Sequence, residues 1–135
     1  MIKEITGLHH ITSMASNADA NNVFFTKTLG LRRVKKTVNF DAPEVYHLYY
    51  GDEIGTPGSV MTYFPFAKMS PSQRGAGEVS ITEFAVPKDA LGFWKERLSA
   101  LGVSSLIESS FLGEKRLSFD GPDGDSFALV ESDVR

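Results

Sequence analysis

The chain spells out the same order of elements twice, and that repeat limits its fold more than any single motif. HIT at 10–12 lies opposite SIT at 80–82, and Asp19 lies opposite Asp89, each pair 70 positions apart. In the first unit, residues 5–15 (ITGLHHITSMA) read as a strand, and Asn17 or Asp19 is placed to cap a helix near 19–29 that ends at Gly30. Ala20, Val23 and Phe24 fall at helical spacing and predict its buried face. LRRVKKTVNF, VYHLYYGD and SVMTYFPF follow as three extended runs separated by turn-forming residues. The second unit opens with EVSITEFAVP at 78–87. A helix near 89–101 follows, with an apolar stripe of Leu91, Trp94, Leu98 and Leu101 and an end at Gly102. VSSLIESS, KRLSFDGPDG and DSFALVE complete it.

This pattern predicts an α+β protein of two tandem βαβββ units in a single domain, 1–135, with unit 1 at about 3–66, a linker at about 67–77 and unit 2 at about 78–132. The register drifts along the repeat: Gly30 and Gly102 are 72 apart, whereas Thr62 and Ala128, placed opposite each other near the unit ends, are 66 apart. Each sheet can carry its helix on one face and leave the other free, and two such faces side by side can enclose a concave site.

Composition removes several function classes. Fourteen Lys and Arg against 17 Asp and Glu, spread along the chain, make no basic field for nucleic acid. The chain has no cysteine, hence no disulfide or thiolate chemistry. No run approaches the ~20 apolar residues that span a bilayer, so no membrane role and a cytoplasmic location are expected. GDEIGTPG and DGPDGD read as tight turns rather than nucleotide cradles, since no Walker lysine follows them. No Ser-His-Asp arrangement or nucleophile elbow is present.

What remains is GLHHITSM at 7–14, with two of the three histidines; the third is His47 in YHLYY. Together with the block NNVFFTKTLGLRRVKKTVNFDAPEVYHLYYGDEIGTPGSVMTYFPF and the later FDGPDGDSFALVE, this stretch resembles the vicinal oxygen chelate superfamily of glyoxalases, bleomycin-resistance proteins and extradiol dioxygenases. More narrowly it resembles the N-terminal half of ring-cleaving dioxygenases acting on hydroquinone-type aromatics.

The resemblance implies a metal held by two His and one Glu, a set that suits Fe(II) because it leaves positions for substrate and dioxygen. It implies His10 as the metal ligand of this half. His9, adjacent on the strand, is expected on the other face. The superfamily's ligand positions fall here on His10, Thr62, Ser80 and Ala128, of which Ser80 and Ala128 stand where His and Glu would be required. Glu83 and Glu131 lie an odd number of residues from those positions and are expected to point away. His47 and Tyr49 are candidates to line the pocket of a small aromatic ligand. The implied function is therefore a domain of a metal-dependent ring-cleaving dioxygenase, inactive and without tight iron alone. It would be completed by a C-terminal half or an equivalent partner, with homodimerisation also expected. The alternative is a metal-free small-molecule binding protein of the bleomycin-resistance type.

Overall fold

A computed structural model describes residues 4–133. The chain divides between Ser70 and Pro71 into two compact units. The first contains β1 (His10–Ala15), α1 (Ala18–Val23, continued by a π-helical turn, Phe24–Thr28), β2 (Arg32–Val38), β3 (Tyr46–Gly51) and β4 (Val60–Pro65). The second contains β5 (Thr82–Val86), α2 (Leu91–Ala100), β6 (Ile107–Phe111), β7 (Glu114–Asp120) and β8 (Ser126–Glu131). Both are βαβββ units. Their sheets have the orders β1-β4-β3-β2 and β5-β8-β7-β6, with the first strand parallel to the last and the remaining pairs antiparallel.

In the first unit Asn17 caps α1 by accepting from the Ala20 N–H at 2.8 Å. The expected buried stripe is corrected. Val23 is 53% exposed, and the buried side chains are Asn21, Phe24, Phe25, Thr28 and Leu29. Asn21, Phe24, Phe25 and Thr28 stand at i, i+3, i+4 and i+7, so the buried stripe is rotated from the expected one, and the helix closes in a π turn in which the Leu29 N–H donates to the Phe24 carbonyl, five residues back. Phe25 then stacks on Tyr50 at 4.8 Å and tilts against Tyr63 at 5.1 Å. Such pairs contribute ~0.5–1.5 kcal/mol each beyond their area. Gly30, at φ 74, ends the helix in the left-handed region, as Gly102 does at φ 79 after α2.

In the second unit α2 packs against β7 and β8, burying Leu91 and Leu98 over a core that includes Leu117, Phe119, Phe127 and Leu129. Leu101, expected in the stripe, is 51% exposed because the helix ends at Ala100. Asp89 does not cap α2. Its backbone is left-handed at φ 64, and the Leu91 N–H donates instead to Glu131 Oε1 at 3.3 Å.

The opening strand of each unit is shorter than expected. The first strand starts at His10 rather than residue 5, and the second unit's at Thr82 rather than 78, so Ser80 lies outside any strand, its carbonyl accepting from Arg74. The residue pairing of the repeat shifts with it. Thr12 pairs with Thr62 and Glu83 pairs with Ala128, so Glu83 corresponds to Thr12, 71 positions on, and the HIT/SIT alignment is one residue out of step.

Candidate functional site

The sheet of the first unit has one face on α1 and one free of it. Alternation along the strands puts Ile11, Ser13 and Ala15 on the helix side with Met61, Tyr63, Leu48 and Tyr50, and His10, Thr12 and Met14 on the open side with Thr62, Phe64, His47 and Tyr49. The open face carries a continuous polar chain. Thr12 Oγ1 and Thr62 Oγ1 are 2.7 Å apart, Thr62 Oγ1 and His47 Nε2 3.0 Å, and His47 Nδ1 and Tyr49 Oη 2.9 Å. The imidazole contacts the rings of Phe64 (centroids 4.1 Å apart) and Tyr49 (4.2 Å). Lys35, paired with Tyr49 in the ladder, places its ammonium 5.4 Å from the Tyr49 ring centre. Burial first, and then electrostatic interaction with His10 and Lys35, push the His47 pKa below its ordinary 6.5, which favours the neutral ring at pH 7.

The structure thus brings His10, His47 and Tyr49, each singled out from sequence, onto one face, with the His10 and Tyr49 ring centres 6.3 Å apart. His9 departs from expectation. It precedes β1, is not bound by strand alternation, and sets its Nδ1 3.0 Å from His10 Nδ1 with the two rings edge to face. Thr12 and Phe64 were missed as site residues, although their two-residue spacing from His10 and Thr62 was the available signal.

The start of β1 is fixed by the GDEIGTPGS loop. Asp52 accepts from the N–H groups of Ile54 and Thr56, and the Thr56 hydroxyl with these backbone donors draws its pKa down to about 2. Ser59 closes the turn onto the Thr56 carbonyl. The loop's Gly58 N–H donates to the His9 carbonyl at 2.7 Å, at φ 93, where a Cβ would meet the Leu8 carbonyl at 3.4 Å. This motif, which looked like a turn and nothing else, holds the backbone beside His10.

A two-His, one-carboxylate set does not fit these residues. Among the described residues no three His, Cys, Asp or Glu gather in a way that could hold a metal ion. Both His47 nitrogens are engaged by hydroxyls. Ala128 offers a methyl group, and Glu131, on the helix side as expected, serves the N-terminus of α2. Glu83 is corrected: it sits on the same face as Ala128, because the ladder shift reverses the parity counted from Ser80. There its Oε1 is 2.6 Å from Arg116 Nη1.

No protein-family model matches the chain. Among known proteins, MhqE of Bacillus subtilis, provisionally named a ring-cleaving dioxygenase, is 46% identical over 93% of this chain and 41% of its own length. The chlorohydroquinone/hydroquinone 1,2-dioxygenase of Sphingobium indicum is 40% identical over 98% of this chain and 42% of its own length. The chain therefore spans about two fifths of the length of these relatives. The crystal structure of a glyoxylase/bleomycin resistance protein/dioxygenase domain from Frankia superposes with a TM-score of 0.75 at 13% identity, over 96% of this chain and 93% of that one, a likeness of fold. By sequence the chain is similar to these ring-cleaving dioxygenases, and its two βαβββ units have the fold of glyoxalase/bleomycin resistance/dioxygenase, or vicinal oxygen chelate, domains.

Proposed function

We propose that this chain is the His10-bearing part of a ring-cleaving dioxygenase for hydroquinone-type aromatics. The observation that carries the reading is the 40% identity to a hydroquinone dioxygenase along 98% of the chain. In this reading His10 is one ligand of an Fe(II) present only in the completed enzyme. A C-terminal half or an equivalent partner supplies the remaining His and Glu. Phe64 and Met14 offer apolar contact to an aromatic ring, and Thr12 and Tyr49 offer hydroxyls to its oxygens. Homodimerisation and a cytoplasmic location belong to the same proposal; no helix among the described residues is long and apolar enough to cross a membrane.

Anaerobic Fe(II) titration of residues 1–135, with elemental analysis and a hydroquinone panel under oxygen, tests it. The expected outcome is no stoichiometric tight iron and no cleavage by the isolated chain, and activity in a longer protein that His10→Ala abolishes. Tight iron in the isolated chain would overturn the split ligand set. A second reading, a metal-free binding protein of the bleomycin-resistance type, is favoured by one observation: the carboxylates that could join a metal site are committed to Arg116 and to α2. Tight binding of an aromatic ligand by the longer protein, with neither iron nor turnover, would establish it instead.

A further inference from the structure

The chain Thr12–Thr62–His47–Tyr49 has no fixed direction. Each of its three hydrogen bonds joins two groups that can both donate and accept. A neutral imidazole must donate from one nitrogen and accept at the other, so two patterns satisfy every contact while also giving the hydroxyl proton of the fully buried Thr62 an acceptor. In the first, Tyr49 donates to Nδ1, Nε2–H donates to Thr62, Thr62 donates to Thr12, and the Thr12 hydroxyl proton points outward. In the second, Thr12 donates to Thr62, Thr62 donates to Nε2, Nδ1–H donates to Tyr49, and the Tyr49 proton points outward. Both hold the same number of protons. The rings of Phe64 and Tyr49 both pack against the imidazole, which holds it in place while the pattern reverses.

We infer that His47 is a positioning residue that reverses this chain by exchanging tautomers, turning Thr12 from a donor into an acceptor toward a phenolic hydroxyl on the open face of the sheet. The phenolic ligand rests on the dioxygenase reading above; the exchange itself does not. Passage from the second pattern to the first moves one proton. The ligand O–H bond breaks and its proton goes to Thr12, the Thr12 proton to Thr62, the Thr62 proton to Nε2, the Nδ1 proton to Tyr49, and the Tyr49 proton to water. The ligand is left as phenolate and the protein gains and loses nothing. A neutral His47 suits this role, since a doubly protonated ring would donate at both ends and block it.

The test is NMR of the chain with ¹⁵N-labelled histidine at neutral pH, His47→Gln identifying the His47 signals. In the wild type both His47 nitrogens are expected at shifts between the protonated and unprotonated limits. Tyr49→Phe removes the partner of Nδ1 and is expected to move the ring to the Nε2–H form. Thr62→Val removes the partner of Nε2 and is expected to move it to the Nδ1–H form. Thr62→Ser, which keeps the hydroxyl and tolerates the buried site, is expected to restore the averaged shifts. A single tautomer in the wild type and in Thr62→Ser alike would overturn the proposal. So would averaged shifts that Tyr49→Phe leaves unmoved. Because the readout is the imidazole itself, a completed enzyme that fails on hydroquinone would sink the dioxygenase reading and not this one. Locked tautomers in an active enzyme would do the reverse.

Discussion

Tyr50 shows how a residue's role follows from its face. It lies on the helix side of β3, fully buried against Phe25, and its hydroxyl finds no hydrogen-bond partner among the described residues. Burial pushes its pKa up to about 12. An unpaired buried hydroxyl costs ~1–3 kcal/mol in desolvation, while the ring contributes packing. Tyr50→Phe is therefore expected to leave stability unchanged or raise it by ~1 kcal/mol in urea denaturation. The pH profile should change as well. The native state keeps the phenol protonated while the unfolded chain releases that proton from its ordinary value of 10.0, so wild-type stability falls as pH rises from 10 toward 12. The variant lacks this fall; a variant that falls with the wild type's slope would show the loss to come from elsewhere. Tyr49, one residue away, faces the other side and has its hydroxyl on His47. That division was legible from period two, as was the grouping of His47 with Tyr49. The orphaned hydroxyl was not, because sequence does not say which atoms surround a side chain.

At the scale of elements, helices and strands were legible where local chemistry decides them and shifted where tertiary contacts do. Asn17 and Gly30 delimit α1 through their own side chain and backbone, and both could be read directly. The π turn could not, because the residue types and spacing of FFTKT do not distinguish a hydrogen bond five residues back from the ordinary one four residues back. Asp89, opposite Asp19 in the repeat, does not cap α2; the acceptor is Glu131, 40 residues from the Leu91 N–H it serves. Glu131→Ala is accordingly expected to destabilise the second unit by ~1 kcal/mol, the usual cost of a lost helix N-cap. Hydrogen exchange should quicken at the first turn of α2. If exchange there is unchanged while iron binding in a completed enzyme is lost, Glu131 is a ligand after all. The Glu83–Arg116 ion pair, with Glu83 42% exposed, adds less than its 2.6 Å length suggests, because water and salt screen it.

Over the whole molecule the two units place different chemistry on one set of positions. Following the ladders, Thr12 corresponds to Glu83, Thr62 to Ala128, Tyr49 to Ser118 and His47 to Arg116. The first unit fills these positions with hydroxyls and an imidazole, the second with an ion pair. The repeat was readable because helix-ending glycines and strand order survive such replacement. The one-residue slip was missed because HIT and SIT are too short to set a register. Each unit also ends its sheet in an edge strand, β2 or β6, and β6 exposes all five residues, Ile107 and Phe111 among them. Open edges of this kind favour strand pairing between copies. Light scattering over a concentration series is expected to give twice 14.8 kDa, and a mass that stays at 14.8 kDa would reject a stable homodimer. The parallel pairing of β1 with β4 has a consequence in time. His10 meets Val60 across 50 residues, whereas β2, β3 and β4 pair with near neighbours along the chain. Contacts between distant parts of a chain carry the larger loop-closure entropy and form later. The β2–β3–β4 meander can assemble while β1 is still loose, so Thr62, His47 and Tyr49 are expected to come together first, and His10 and Thr12 to complete the polar face at the closing step of folding of this unit.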